Sequence, residues 1–415
     1  MTNQRISRTS NGQPGIFYGY FIVAAAFCSI FVLFAVYYAF GVFFKPLLEE
    51  FGWTRAMTSG AFSLSALLMG VLGIVMGGLN DRFGPRVVMT LCGILIGLGY
   101  ILMSQIRTIW HLYLFYGIFV GAGMSASYIP LMSTVARWFK EKRNVMSGVV
   151  VAGIGIGALI GPPAATWLIS VYNWRISYLI LGVIVSVVIV ISAQFLKRDP
   201  EQMGVEAYGG SGGEQEEVSP DIVALSLGEA IRTLQFWMVF GIFFSIGFFV
   251  FAIFVHTVPH AIEMGISAKS AANILATIGG VSIFGKVLMG RAADKIGIGK
   301  TYLISFILMS AALFWTIPAN VAWMLYLFAV LFGFSYGGCA VLQSPLVAEL
   351  FGLRAHGLIF GVVFLGESIG GAISPILTGY LFDVMESYRW AFILCALFSS
   401  IGIIFCAILI PKRKT

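Results

Sequence analysis

Long apolar stretches alternate with short polar stretches along the whole chain. Each apolar stretch has about 20 residues or more, the length that an α-helix needs to cross the hydrocarbon core of a membrane. The first stretch begins near Ile16 and continues to Phe44, which is too long for the apolar core of a cleaved signal peptide, roughly 7–15 residues. We therefore predict that this stretch is retained as the first transmembrane helix.

The pattern predicts twelve membrane spans, numbered here in chain order. Their expected ranges are 16–44, 56–80, 86–105, 110–137, 143–170, 174–196, 234–262, 268–293, 299–318, 321–350, 355–383 and 388–411. The longest polar stretch, 197–233, separates six spans from the next six. Its middle is rich in Gly, Ser and Glu, which is typical of a flexible acidic linker.

The predicted fold is all-α and integral to the membrane, with twelve transmembrane helices in two six-helix bundles. We expect a cytoplasmic N-terminal tail at 1–15, a first bundle at 16–196 and a cytoplasmic linker at 197–233. A second bundle at 234–411 and a basic tail at 412–415 complete the predicted organisation.

Composition agrees with this fold class. Hydrophobic residues make up 59% and charged residues 10% of the chain, whereas a soluble domain is roughly 25% charged. The 49 glycines favour close packing of helices in lipid. The five cysteines lie in apolar segments without paired spacing, so we expect neither disulfides nor a metal site, and no cofactor.

The loop charges predict the orientation. If both termini and the even-numbered loops are cytoplasmic, that side holds 18 of the 25 Lys and Arg residues and the other side holds six. Such a bias is the usual mark of the cytoplasmic side. We therefore predict a multi-pass protein of the plasma membrane with both termini in the cytoplasm, and the absence of long loops suggests a bacterial inner membrane. The net charge of +7 then reflects topology rather than binding of nucleic acid.

An internal repeat is visible at an offset of 213 residues. Related glycine-and-acid motifs follow spans 2 and 8; the first contains Gly77, Asp81, Arg82 and Gly84, and the second contains Gly290, Asp294, Lys295 and Gly297. The same offset carries Gly153, Gly157 and Pro162 of span 5 onto Gly366, Gly370 and Pro375 of span 11. Two six-helix halves related by duplication are the layout of many secondary transporters.

These motifs resemble the major facilitator superfamily, and within it the monocarboxylate transporter-like family. The duplicated motif resembles the superfamily signature. The stretch from Arg137 to Gly148 resembles the family's entry into span 5, and Tyr18-Gly19-Tyr20 and Gly41 to Pro46 resemble the two ends of its span 1. Bacterial oxalate:formate exchangers share much of this pattern. The resemblance implies alternating access, with the motif residues and Arg137 acting as a gate. We expect Asp81 and Asp294 to form interhelix salt bridges that exist in only one conformation.

Two ionisable side chains lie deep within spans, apart from Cys and Tyr. Lys286 precedes Asp294 by eight residues, about 12 Å along a helix, which places it near the middle of the membrane. Glu367 lies at a similar depth in span 11. The repeat offset maps Lys286 onto Gly73 and Glu367 onto Ile154. Neither charge belongs to the duplicated scaffold, so both are candidates for substrate chemistry.

The resemblance implies a role for Lys286. Monocarboxylate transporters carry an arginine four residues before the motif glycine, where it holds the substrate carboxylate, and Lys286 stands four residues before Gly290. Ser282 takes the position at which animal members often carry an acid. The alternatives are a snorkelling lysine and a purely structural partner of Glu367. Glu367 itself is a counter-ion of Lys286, a proton carrier, or a member of a structural hydrogen bond.

Further lining residues are suggested by the resemblance, in which spans 1, 4, 7 and 10 surround the path. They are Tyr38, at a position where animal relatives place a lysine, Tyr128 and Tyr336. A packed tyrosine with a satisfied hydroxyl is the alternative for each. His256 and His260, late in span 7, are expected near the outer mouth. There they form part of an outer gate or a proton entry, with His256 as a candidate for proton coupling. The alternative is that they are interfacial histidines with satisfied hydrogen bonds.

The predicted function is a carrier of small monocarboxylates such as lactate or pyruvate, by symport with the proton as the coupling ion. The alternative is an oxalate/formate-type anion exchanger, for which two cations would be expected and only Lys286 is evident. A polytopic enzyme or sensor is less well supported, because no clustered catalytic set and no large soluble domain is present. We expect the small carboxylate and the bilayer as partners, without nucleic acid or an obligatory protein partner.

Overall fold

The computed structural model describes residues 17–139, 142–209, 225–352 and 354–409 and is helical almost throughout. Eleven helical segments of these residues are long and apolar enough to cross a membrane. One of them, Arg55–Met103, has 49 residues and supplies both span 2 and span 3. The predicted fold class is confirmed. The predicted tails 1–15 and 412–415 and the middle of the linker lie outside the described residues.

The first six spans have the following bounds. Span 1 consists of Gly19–Tyr38 and Phe40–Phe51, spans 2 and 3 of Arg55–Met103, and span 4 of Ile109–Leu112, the π-helical Tyr113–Val120, Gly121–Met124 and Ile129–Trp138; spans 5 and 6 are Arg143–Val171 and Trp174–Phe195. Span 2 reverses into span 3 at Gly84, whose φ of 81° favours glycine, and Pro85 follows. The reversal therefore lies inside the repeated motif.

The second six spans are single helices. They are Leu234–Glu263, Ala268–Ile296, Ile298–Thr316, Ala322–Phe351, His356–Met385 and Arg389–Leu409. The linker contributes the short helices Pro200–Met203 and Leu227–Ala230. Below, "linker end" denotes the face of the bundle where spans 6 and 7 join the linker, and "opposite end" denotes the other face.

The two halves share the same helix packing at positions related by the repeat. A Cβ placed on Gly157 of span 5 would lie 2.7 Å from the carbonyl oxygen of Phe31 in span 1. A Cβ on Gly370 of span 11 would overlap the carbonyl oxygen of Phe244 in span 7. Both the glycines and the carbonyls are related by the offset of 213 residues. The duplicated glycines thus make duplicated backbone contacts, which a side chain would prevent.

Spans 5 and 8, from different halves, pack closely on one side of mid-membrane only. A Cβ on Gly155 would lie 3.0 Å from the carbonyl oxygen of Gly279. Gly148 lies seven residues before Gly155, and Gly290 eleven residues after Gly279, so each shares a helix face with its partner. Neither would bring a Cβ within 4 Å of another atom. The two spans therefore separate toward the linker end.

Spans 2 and 11 separate in the same direction. At the opposite end, Gly379 packs against the backbone of Arg55 and Ala56, and in mid-membrane Gly70 packs against Ser368. Gly361 lies seven residues before Ser368 on the same face, and a Cβ there would meet nothing within 4 Å. The two halves are thus joined from mid-membrane to the opposite end and open toward the linker end.

The glycine contacts generate a test with a matched control on one helix. In Gly370→Ala the new methyl group must displace the backbone of span 7, and overpacking of this kind costs about 1–3 kcal/mol. We expect its apparent Tm in detergent to fall by several degrees. Gly361→Ala places the methyl in open space, where alanine is the better helix former, and should leave Tm equal or higher. Equal effects of the two substitutions would contradict the packing argument.

Candidate functional site

Lys286 lies where the two halves separate. Its Nζ donates a hydrogen bond of 3.3 Å to the backbone carbonyl of Val151 in span 5, in the other half of the chain. Val151 stands between Gly148, which faces open space, and Gly155, which packs against span 8. The ammonium therefore lies at the apex of the opening toward the linker end, and the side chain is partly exposed.

Two glycines determine the position of Lys286. A Cβ on Gly337 of span 10 would overlap the carbonyl oxygen of Ser282 and lie 2.9 Å from the backbone nitrogen of Lys286. A Cβ on Gly285 would overlap the carbonyl oxygen of Phe334. Spans 8 and 10 consequently meet backbone to backbone beside the lysine. Close packing of this kind restricts movement of the backbone at Lys286, from which the side chain extends.

Glu367 lies at a corresponding level of the opening. Its Oε2 accepts a hydrogen bond of 2.7 Å from the Nε2 of Gln343 in span 10. A Cβ on Gly247 of span 7 would overlap the Glu367 carbonyl oxygen, and the next residue, Ser368, meets Gly70 of span 2. The carboxylate thus stands where span 11 leaves its contact with the other half.

Lys286 and Glu367 do not pair in this conformation. Neither belongs to any ion pair within 4.0 Å among the described residues. Each charge is instead bound to a neutral group, the carbonyl of Val151 or the amide of Gln343. The predicted role of Glu367 as counter-ion of Lys286 is therefore not realised in this conformation.

The predicted tyrosines differ in their surroundings. Tyr38 and Tyr336 come from different halves, and their hydroxyl oxygens lie 3.4 Å apart. Phe254 of span 7 stacks on Tyr38 with ring centroids 4.0 Å apart. Tyr128 is 39% exposed. The structure therefore brings Tyr38 and Tyr336 together across the two halves.

Ser282 and His256 are more enclosed than the other candidates. Ser282 is buried, and its hydroxyl donates to the carbonyl of Gly279 in its own helix over 2.7 Å. His256 is fully buried, with Nε2 2.9 Å from the Pro375 carbonyl oxygen and Nδ1 3.4 Å from the Tyr388 hydroxyl. It lies inside the joined part of the halves rather than at an open mouth. Its role in coupling stays a prediction.

The two copies of the repeated motif differ in their ion pairs. Arg137 of span 4 binds Asp81 over 3.0 Å and also Asp199, just after span 6, over 3.2 Å. Asp294 is exposed, and it makes no ion pair within the part of the chain that the structure describes. In this conformation the expected salt bridge is thus present for Asp81, within the first half, and absent for Asp294.

A family comparison agrees with the helical architecture. The model of the Major Facilitator Superfamily matches residues 26–288 and 261–415, most of the chain. The chain belongs to the Major Facilitator Superfamily. The resemblance predicted from the duplicated motif is confirmed, and membership makes the chain a membrane transporter rather than an enzyme.

Curated relatives narrow the likeness within the superfamily. Monocarboxylate transporter 13 of Rattus norvegicus is 26% identical over 400 residues, which cover 96% of this chain and 90% of the relative. The oxalate:formate antiporter of Oxalobacter formigenes is 28% identical over 393 residues, covering 91% and 88%. Both groups named in the sequence analysis are therefore represented at modest identity over nearly full length.

Solved structures support the fold. A bacterial homologue of the human lysosomal transporter Spinster, in an inward-facing and unoccupied conformation, superposes with a TM-score of 0.75 at 16% identity, covering 94% of this chain and 96% of the other. The same homologue in an inward-facing and occupied conformation gives a TM-score of 0.74. At this identity the likeness shows the superfamily fold alone.

A contact cluster around Arg55 joins the halves at the opposite end. The Arg55 guanidinium pairs with Glu263 of span 7, donates to the Tyr388 hydroxyl over 3.3 Å, and stacks 3.9 Å above the Phe382 ring. Burial raises the pKa of the Tyr388 hydroxyl well above its usual range, so this group stays neutral. Every partner of Arg55 in this cluster belongs to the second half of the superfamily fold.

Asp383 adds a backbone contact to the same cluster. Its two carboxylate oxygens accept hydrogen bonds from the main-chain nitrogens of Arg55, over 3.0 Å, and Ala56, over 2.9 Å. These nitrogens begin span 2, where free N–H groups and the helix dipole favour an anion. Sequence reasoning missed Arg55, Asp383 and Gln343, because neither loop charge nor hydrophobic periodicity indicates which helix ends meet.

The Arg55 cluster generates a test of conformational bias. Arg55→Ala removes one ion pair and one hydrogen bond between the halves, and bonds to charged groups contribute about 1.5–3 kcal/mol each. We expect a population open at the opposite end to rise by at least tenfold, since a loss of about 1.4 kcal/mol already gives this factor. Maleimide labelling of Ser59→Cys, a buried position beside Gly379, in a background without the native cysteines measures this population.

Lys45→Ala is the control for the Arg55 variant. Lys45 lies near the same end but pairs with Glu49 within its own helix, over 3.5 Å, so its loss leaves the contact between halves intact. Labelling of Ser59→Cys should not change in this control. An unaltered labelling rate in Arg55→Ala would show that the cluster does not hold the halves together.

Proposed function

We propose that this superfamily member is a secondary active transporter of small monocarboxylates, of the lactate or pyruvate kind, with Lys286 as the carboxylate anchor. The observation that carries the proposal is the position of the Lys286 ammonium, which lies at the apex of an opening and donates to a neutral carbonyl. A carboxylate is a stronger acceptor for an ammonium than a backbone carbonyl. An incoming anion would therefore replace Val151 as its partner.

One cation favours one carboxylate. At the depth of Lys286, the described part of the spans holds no second lysine or arginine. An ammonium also binds as a point charge without the fixed fork of a guanidinium, so neighbouring hydroxyls must orient the substrate. Tyr38 and Tyr336, one from each half, are the donors that we assign to this orientation.

Release of Lys286 from Val151 would connect binding with movement. The Lys286–Val151 hydrogen bond joins span 8 to span 5, at the edge of the contact between the halves. Transfer of the ammonium to a substrate removes this contact, while the carboxylate now bridges groups of both halves. Alternating access requires such a difference in interaction between conformations, since a ligand shifts an equilibrium only by its differential affinity.

We assign the coupling proton to Glu367. The empty site holds one positive and one negative side chain, so its net charge is zero. Adding an anion alone leaves a net negative charge in the membrane interior, which is costly. Adding an anion together with a proton on Glu367 restores a net charge of zero. The two states that can cross the membrane are then the empty and the doubly loaded state, which is proton–anion symport.

Likeness to the oxalate:formate antiporter supports a second candidate, exchange of oxalate-like and formate-like anions. It needs no proton and would be stimulated by a second anion on the far side of the membrane. The two candidates differ in one experiment. Preloading vesicles with formate should accelerate oxalate uptake in an exchanger, whereas an inward proton gradient should accelerate lactate uptake in a symporter.

Substitution of Lys286 tests the anchor. In right-side-out vesicles with an inward proton gradient, we expect Lys286→Gln to lower kcat/KM for radiolabelled L-lactate by about 10–100-fold, because a hydrogen bond to a charged group contributes about 1.5–3 kcal/mol. Lys269→Gln is the control, an exposed lysine in the first turn of the same helix. Uptake that survives in Lys286→Gln would exclude the anchor role.

Substitution of Glu367 tests the coupling. Glu367→Gln keeps the hydrogen-bonding shape but cannot change its protonation, so uptake of L-lactate should no longer respond to the proton gradient. Glu349→Gln, an exposed acid in span 10 near the linker end, should retain the wild-type response. A gradient response of wild-type size in Glu367→Gln would assign the proton to another group.

A further inference from the structure

Span 1 of the first half and span 7 of the second half meet closely beside His256. A Cβ on Gly41 would lie 2.7 Å from the carbonyl oxygen of Val255, the residue before His256. The His256 ring also packs in a T-shape against Phe44 of span 1, with ring centroids 5.4 Å apart. His256 is fully buried, and the other half supplies part of its cover. Separation of the halves at the opposite end would therefore uncover it.

A series of three hydrogen bonds passes through His256. The Arg55 guanidinium donates to the Tyr388 hydroxyl over 3.3 Å. This hydroxyl lies 3.4 Å from Nδ1 of His256, and Nε2 lies 2.9 Å from the Pro375 carbonyl oxygen. The two ends of the series determine its direction, because a guanidinium only donates and a carbonyl only accepts. Nε2 therefore carries the proton, and Nδ1 accepts a hydrogen bond from Tyr388.

This direction of bonding requires a neutral imidazole. A proton on Nδ1 would point at the Tyr388 oxygen, and the tyrosine hydroxyl would lose its acceptor. The imidazolium and the Arg55 guanidinium would then both lie within hydrogen-bonding distance of one oxygen atom, and like charges this close disfavour each other. Burial adds to the cost, since an enclosed charge loses its hydration. The closed opposite end therefore disfavours the charged form of His256.

The described groups around His256 supply no acid that would pair with an imidazolium. Its neighbours from span 1, span 11 and the turn before span 12 are a phenylalanine ring, a backbone carbonyl and a neutral tyrosine hydroxyl. The two acids of the Arg55 cluster are already bound, Glu263 by the guanidinium and Asp383 by main-chain nitrogens of span 2. Among the described residues, His256 belongs to no ion pair.

We infer that His256 is a pH-sensitive switch for the closure of the opposite end. The neutral side chain connects the Arg55 cluster to span 11 and favours the closed state, whereas protonation from the solution at that end favours the open state. This role differs from coupling, because the proton must leave His256 before the halves close again. The switch does not depend on which substrate is carried.

His260, one turn further along span 7, provides a matched control. Its ring contacts Tyr388, with ring centroids 5.4 Å apart, and Phe392 of span 12, with ring centroids 4.9 Å apart. Both neighbours belong to the second half, so separation of the halves leaves these contacts in place. Protonation of His260 is therefore not linked to opening.

The switch predicts a conformational population that depends on pH. Spin labels on Gln105→Cys and Asn320→Cys, exposed loop positions of the two halves at the opposite end, report opening as a longer distance in pulsed electron paramagnetic resonance. The background lacks the native cysteines. A water-exposed imidazole has a pKa of about 6.5. Because the open state takes up the proton, the ratio of open to closed molecules should rise about tenfold between about pH 7.5 and about pH 5.5.

His256→Gln separates protonation from hydrogen bonding. A glutamine amide accepts and donates, so it can bind Tyr388 and Pro375 without titrating in this range. The open-to-closed ratio should then change by less than about twofold over the same pH interval, whereas His260→Gln should keep the tenfold change. A tenfold change in His256→Gln would overturn the inference, and so would a labelled chain with both histidines that does not respond to pH.

A second measurement keeps His256 in place. In protein with isotope-labelled histidine, nuclear magnetic resonance distinguishes a neutral from a charged imidazole. At about pH 5.5, the charged fraction of His256 should agree with the open fraction within about twofold. A neutral His256 in a sample that has opened would assign the proton to another group. A charged His256 in a closed sample would show that closure tolerates the charge, and either result excludes the switch.

Discussion

A charge within the hydrocarbon core of a membrane has no bulk water around it, so the protein itself must supply its partners. This constraint governs the centre of the molecule. Lys286 and Glu367 are placed at the apex of the opening, where their side chains are partly exposed and each meets a neutral hydrogen-bonding group.

Backbone contacts provide the rigidity that such a centre needs. Helices that meet through Gly337 and Gly247 leave no side chain between their backbones, and each contact lies beside one of the two charges. The duplicated pairs Phe31–Gly157 and Phe244–Gly370 repeat this arrangement in both halves. The scaffold is therefore symmetric, whereas the chemistry is not, since both charges belong to the second half.

Sequence reasoning predicted the scaffold better than the contacts. Apolar length predicts the twelve spans, and the 213-residue offset predicts the duplication, because both leave a periodic trace along the chain. Depth along a helix likewise locates Lys286 and Glu367. No such periodic pattern along the chain indicates the partners of these groups. In the sequence, Gln343 is only one polar residue within an apolar helix. Arg55 is one of the six basic residues predicted for the non-cytoplasmic side. Of the two expected salt bridges, only that of Asp81, with Arg137, is present in this conformation.

Two kinds of contact close the opposite end, and they differ in how easily a mutation removes them. The Arg55 guanidinium depends on its side chain, so many single codon changes abolish that part. The Asp383 carboxylate accepts hydrogen bonds from main-chain N–H groups at the start of span 2, and every residue except proline has such a group. Substitutions along the start of span 2 can therefore change the strength of the closure without removing it. Sequence change at these positions can thus shift the preferred conformation during evolution while the helices stay in register.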